Sequence, residues 1–231
     1  MTALAGSGPW FAAFLVVALV AFWPTYLSRV STLDAYTHAH ALTAALWMLL
    51  LVAQPLAVRA RNLALHRALG KASYGLAPLV VAAMVLLAHR RLQGLEARPF
   101  FEQTYTLYLQ LSLAALWALC YGLAVAFRRR TALHARFMVC TGLTLVDPVL
   151  IRFVIWANPA VDWNFQWLTF GITDLVLLTL IRLERRAAGG RSVFPAMLAV
   201  FVLSQAPAVL GGWKSAAWQG FAAWFAALPL T

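Results

Sequence analysis

The sequence predicts an all-α protein, a polytopic membrane helical bundle. Three observations carry that prediction. Apolar runs of near bilayer length recur at residues 9–28, 36–57, 72–88, 104–127, 138–157, 164–181 and 192–211. Only 11% of residues are charged, 63% are hydrophobic and mean hydropathy is +0.79, whereas a soluble domain carries roughly 25% charged residues. The basic residues gather at the ends of the runs rather than along them. A helix needs ~20 mostly apolar residues to cross a hydrocarbon core of ~30 Å. Seven such runs in 231 residues fill the chain, which reads as a single integral membrane domain over 1–231.

Each run has its own punctuation. The first, 9–28, has no Lys or Arg ahead of it and is long enough to span, so it is read as a retained helix and not a cleaved signal. His38 and His40 open the second run, and His89, Arg90 and Arg91 follow the third. Arg128, Arg129 and Arg130 close the fourth. The fifth holds Asp147, Pro148 and Arg152, and the sixth holds Asp174. Gly211-Gly212 stops the seventh. In 213–231, Trp213, Trp218 and Trp224 suit an interfacial helix, because indole rings favour the headgroup level. An eighth, short span is the alternative for that stretch.

Seven spans sort the loops into two sets. On the N-terminal side fall Arg59, Arg61, Arg67, Lys71, Arg128, Arg129, Arg130, Arg136, Arg182, Arg185, Arg186 and Arg191. On the other fall Arg29, Arg90, Arg91, Arg98 and Lys214. Twelve against five is a positive-inside bias that puts the N-terminus in the cytoplasm. Asp34, Glu96, Glu102 and Asp162 lean outward and Glu184 inward. The net charge of +11 therefore serves orientation and contact with the lipid bilayer; no basic stripe with interleaved aromatics points to nucleic acid. Arg67, Arg128, Arg129, Arg130 and Arg136 read as anchors for anionic headgroups. Cys120 and Cys140 lie inside spans and read as apolar fillers.

Two of the inner loops echo one another. Both run from basic residues to Ala-Leu-His and then to Arg, at His66-Arg67 and at His134-Ala-Arg136. Hairpins 36–88 and 104–157 are thus candidate repeats.

Three charges inside spans five and six mark the first candidate site. A charge at bilayer depth costs ~3 kcal/mol or more unless paired or hydrated. The expectation is an ion pair of Arg152 with Asp174 or Asp147, facing the bundle interior, either as a clamp between helices or as a substrate or proton site. Tyr36, Trp156, Asn158, Asn164 and Trp167 rim the outer ends as an aromatic belt or a pocket mouth. The histidines offer a second reading. A bis-His haem needs imidazoles from two facing helices at matched depth. His40 with His89, and His66 with His134, meet that condition crudely for haem b. His38 and His40 would meet at one metal ion only if the second span began extended, since on a helix they lie about 200° apart. No phosphate loop, nucleophile elbow, His-Glu-x-x-His or Cys-x-x-Cys is present, and no Lys lies within a span to hold retinal.

The segment from His40 through Trp47, Gln54-Pro55 and Arg59 to Leu65-His66-Arg67-Ala-Leu-Gly70-Lys71 and Tyr74 resembles a family of bacterial multi-pass membrane proteins that has no settled activity. Its signature is Leu-His-Arg-x-Leu-Gly. Arg130, His134, Arg136, Phe137-Met138 and Arg152 look like its second signature, and the resemblance covers roughly 36–155. It implies a helical bundle in a bacterial inner membrane and no particular chemistry. A looser similarity is to the two-haem transmembrane cytochromes b, from which this chain departs in lacking four His at regular depth in four consecutive spans. Three functions stay open: a membrane protein of unassigned, non-catalytic role with a polar interior, a haem-b redox protein, and a small transporter or lipid-modifying enzyme with an outward cavity. Partner membrane subunits or a homo-oligomer are compatible with each.

Overall fold

A computed structural model describes residues 6–95, 99–157 and 165–231. Glu96, Arg98, Asn158, Asp162 and Asn164 lie outside the described residues. Among those described, every regular element is helical: α1 (Gly8–Phe22), α2 (Ala35–Arg59), α3 (Leu63–Arg90), α4 (Phe100–Ala126), α5 (Thr131–Leu143), α6 (Val146–Ala157), α7 (Gln166–Glu184), α8 (Val193–Val209) and α9 (Ala216–Ala226).

Local chemistry sets the boundaries. Pro9 stands in the first turn of α1, where its missing N–H costs nothing. Asp34 caps α2, its Oδ1 accepting from the N–H of Tyr36 at 2.9 Å and of Thr37 at 3.1 Å, and its Oδ2 from the Thr37 hydroxyl at 2.8 Å. Burial pushes this carboxyl up, but the Thr37 hydroxyl and the two backbone donors outweigh it and hold the pKa below its ordinary value. Arg61 turns the chain at φ 58, and Asn62 caps α3 by accepting from Leu65 N–H at 2.9 Å. Pro99 precedes α4. Gly190 (φ 75) and Gly211 (φ 79) supply the left-handed turns before α8 and after it.

Five stretches are long and apolar enough to cross a membrane: Ala35–Arg59, Leu63–Gly94, Phe100–Ala126, Thr131–Ala157 and Gln166–Glu184. The sequence led us to expect seven. Gly8–Phe22 and Val193–Val209 are apolar but run only 15 and 17 residues, about 22 and 25 Å of helix, short of a ~30 Å core. Consecutive helices pack as neighbours: α2 on α3, α4 on α5, α7 on α8, with α1 lying on α2 and α6. The largest core cluster joins α4, α5, α7 and α8 around Cys120, Cys140, Leu177, Phe194 and Phe201. A second sets Trp47 edge-to-face against Trp117, ring centroids 4.6 Å apart, with Trp47 Nε1 donating to Thr141 Oγ1 at 3.2 Å. Large apolar side chains also cover the outside, Leu203 at 72% and Leu210 at 82% exposure among them. An apolar exterior of this kind suits lipid and not water.

The ends of the bundle differ. At one end α9 folds over α4 and the π turn Arg91–Leu95. Trp218 Nε1 donates to the Thr104 carbonyl at 3.0 Å and Gln93 Nε2 to the Ala226 carbonyl at 2.9 Å. α9 has 11 residues, too short to span, and its aromatic face with Trp218, Phe221 and Trp224 is that of a surface helix. At the opposite end His66 and His134 each occupy the fourth position of their helix, α3 and α5.

Candidate functional site

The fifth apolar stretch is not one helix. α5 ends at Leu143 and α6 begins at Val146. Pro148 has no N–H, so the Thr144 carbonyl has no helical donor four residues on. The break sets Asp147 in the first turn of α6, where the helix dipole favours negative charge. Asp147 Oδ1 accepts from the Gln166 amide and from the Thr169 hydroxyl, both in the first turn of α7. Gln166 and Thr169 are themselves buried, and Gln166 Nε2 also reaches Thr169 Oγ1 at 3.2 Å.

Asp147 lines a cleft between α4, α5, α6, α7 and α8. Leu109, Leu113, Leu116, Leu143, Phe170 and Phe201 make its apolar walls. Ser112, Thr144, Thr173, Ser204 and Gln205 are its other polar groups. Its interior measures ≈ 30 Å³, room for one or two water molecules. Tyr108 crosses from α4 to α8 beside it, donating to the Ser204 carbonyl at 2.8 Å.

Asp174, the second intramembrane acid, accepts from Gln205 Nε2 at 3.2 Å. The expected pairing of Arg152 with Asp147 or Asp174 does not form. Asp147 and Arg152 are five residues apart, about 140° around a helix, so they leave α6 on different sides. The Arg152 guanidinium lies over the Phe22 ring of α1, 5.0 Å from its centroid.

Arg136 is a second correction. Read as a headgroup anchor, it is only 3% exposed, its Nε 2.5 Å from Glu184 Oε2 and its Nη1 donating to the Ala132 carbonyl at 2.6 Å. Glu184 stands among Arg182, Arg185 and Arg186. A lone acid in a basic cluster was the available signal for a buried partner. Arg67, Arg128, Arg129 and Arg130 are exposed.

The histidines do not assemble as the haem reading requires. His89 is fully buried, with Nδ1 2.7 Å from Thr231 Oγ1 and Nε2 3.3 Å from Gln93 Nε2, so neither ring nitrogen is left for iron. His40, with its buried Nδ1 unbonded, lies within electrostatic reach of Arg91 and Arg152. His66 and His134 are within electrostatic reach of each other. His134 Nδ1 bonds the Ala124 carbonyl at 2.8 Å, and the Gln54 amide sits on His66 Nδ1. Neither the Asp147 cleft nor a smaller one between α3 and α4 is bordered by a histidine. His38 and His40 both lie inside helical α2, which begins at Ala35, so the extended start that would join them at one metal is absent. His38 instead bonds Tyr26 OH at 3.1 Å. Among the described residues no group of three or more metal-ligating side chains comes together.

No family model matches this chain. No curated protein and no solved structure matches it either. Function therefore has to be argued from the site alone. In that light the Asp147 cleft stands apart: it joins an acid, a broken helix and an internal space, and no basic side chain among the described residues pairs with the acid.

Proposed function

We propose that the chain is a membrane protein of a bacterial inner membrane with five long spans and two short ones, α1 and α8, which a locally thinned bilayer accommodates, N-terminus in the cytoplasm, acting as a small transporter with Asp147 in its solute site. One observation carries the reading: Asp147 is held by α7 through Oδ1, lines an internal cleft and has no cation partner among the described residues. A structural clamp at this depth would pair its carboxylate with the nearby arginine, because an unpaired intramembrane charge is costly. A broken helix whose backbone lines a cavity is how membrane proteins build polar binding sites. Twelve basic residues against five support the orientation. The resemblance of 36–155 to bacterial multi-pass proteins agrees in class and is silent on substrate.

The test is thiol accessibility on a Cys120→Ala/Cys140→Ala background. In intact cells an impermeant maleimide should label Ser31→Cys and spare Arg129→Cys; the reverse pattern rejects the orientation. Ser112→Cys should react with a small, water-soluble methanethiosulfonate. A Ser112→Cys thiol that reacts no faster than one placed at the core residue Leu177 would mean that the cleft is closed to solute.

A further inference from the structure

The cleft's hydrogen-bonding groups show an asymmetry. Ser112 Oγ donates to the Leu109 carbonyl at 3.2 Å, Thr144 Oγ1 to Thr141 at 2.8 Å, Thr173 Oγ1 to Thr169 at 3.0 Å and Ser204 Oγ to Phe201 at 2.9 Å. A hydroxyl has one proton to give, so each of these four oxygens offers the cleft only lone pairs. Gln205 Nε2 donates one N–H to Asp174 Oδ1, which leaves it a second N–H beside the acceptor Oε1. Asp147 Oδ1 accepts from Gln166 and Thr169, and Asp147 lines the cleft. Thr144 lines the cleft, and Pro148 gives its carbonyl no helical donor four residues on. The walls contain no Lys, Arg or His.

We propose that this cleft binds one small monovalent cation of the sodium class. The proposal rests on the reading of the cleft as a solute site and names what occupies it. A lining rich in oxygen lone pairs and poor in donors favours a hard cation over an anion. One carboxylate balances one charge, whereas calcium sites take 6–8 oxygens and usually several carboxylates. The ≈ 30 Å³ interior is of the size that takes a partly dehydrated ion. Carbonyls released at a helix break are a recurrent source of sodium ligands in transporters.

The experiment is thermal unfolding of the purified full-length chain in detergent, titrated with NaCl against choline chloride at constant ionic strength. Sodium should raise the midpoint saturably and choline should not. Asp147→Asn should raise the half-saturating sodium concentration at least tenfold. Thr173→Val, which keeps side-chain shape and removes one oxygen, should raise it severalfold and serves if Asp147→Asn does not fold. Equal midpoints in sodium and choline overturn the proposal, as does a full sodium response in Asp147→Asn, or in Thr173→Val where Asp147→Asn does not fold. A larger response to CaCl2 than to NaCl overturns the monovalent assignment. Sodium should also slow methanethiosulfonate labelling of Ser112→Cys. Labelling that proceeds untouched by sodium removes the cation and keeps the solute site; absent labelling removes the solute site itself.

Discussion

Truncating Arg136 to Met leaves the Glu184 carboxylate in place with its partner gone. The two side chains are 4% and 9% exposed, and their contact is 2.5 Å. Breaking a buried pair from one side costs ~3–5 kcal/mol, because the remaining charge is uncompensated. Arg136 also donates to the Ala132 carbonyl at 2.6 Å, a bond worth roughly 1 kcal/mol. Glu184 is the last residue of α7, where local fraying lets some water relieve it. The expected loss is therefore near the lower bound, about 3 kcal/mol. Reversible unfolding in mixed micelles, titrated with SDS, reads this as a shift in the midpoint. Arg136→Lys should recover part of the loss by keeping the charge without the forked geometry. Arg136→Met with Glu184→Leu should recover most of it, since an apolar pair of similar volume is often as stable as a buried ion pair. A cost below about 1 kcal/mol for Arg136→Met, or a double variant no better than the single, would refute the buried-pair account.

A Cβ at Gly142 would collide with the Phe11 ring and approach Leu51 Cδ1 at 3.3 Å; Gly142→Ala should cost ~1–3 kcal/mol by overpacking and loosen α1, seen as faster proteolysis near residue 22. Gly190→Ala places a Cβ 2.6 Å from Arg136 Nη1 at φ +75, so its unfolding midpoint should fall with that of the Arg136 variants. Asp34→Ala should cost ~1 kcal/mol at neutral pH through loss of the α2 cap. Because the folded state holds that carboxyl low, its contribution is complete above the ordinary carboxylate range and vanishes as pH falls through the lowered value. Parallel pH titrations of wild type and Asp34→Ala should then converge in acid. Trp47→Phe removes the bond to Thr141 Oγ1 and should cost ~1–3 kcal/mol, with Thr141→Val partly compensating in the double variant.

What could be read in advance follows from which physics is local. Apolar length is a property of composition, so α2, α4 and α7 fall on their runs. The start of α3 at Leu63 was missed because Leu63–Lys71 is basic and amphipathic and lowers the hydropathy of its window. Asp147 and Asp174 were visible as intramembrane charges, but the side of α6 from which Arg152 leaves depends on helical phase. His89 looked like a helix-end residue; its burial comes from Phe225 and Thr231, far away in sequence. The donor-poor character of the cleft was invisible to residue type. It arises from serines and threonines bonding back to carbonyls three or four residues earlier, a choice made by rotamer.

The contact of Phe11 with Gly142 also bears on how the protein is made. α1 meets α2 early, with Gly8 seated against Leu56. Its second face waits for α5 and α6. At synthesis rates of ~5–20 residues per second, the roughly 130 residues between those partners take about 6–26 s to appear. Throughout that interval the first helix is held on one side only, with half of its docking surface in the care of lipid or of the insertion machinery. Mutations at that contact should therefore lower yield during biogenesis more than they lower the stability of the finished protein.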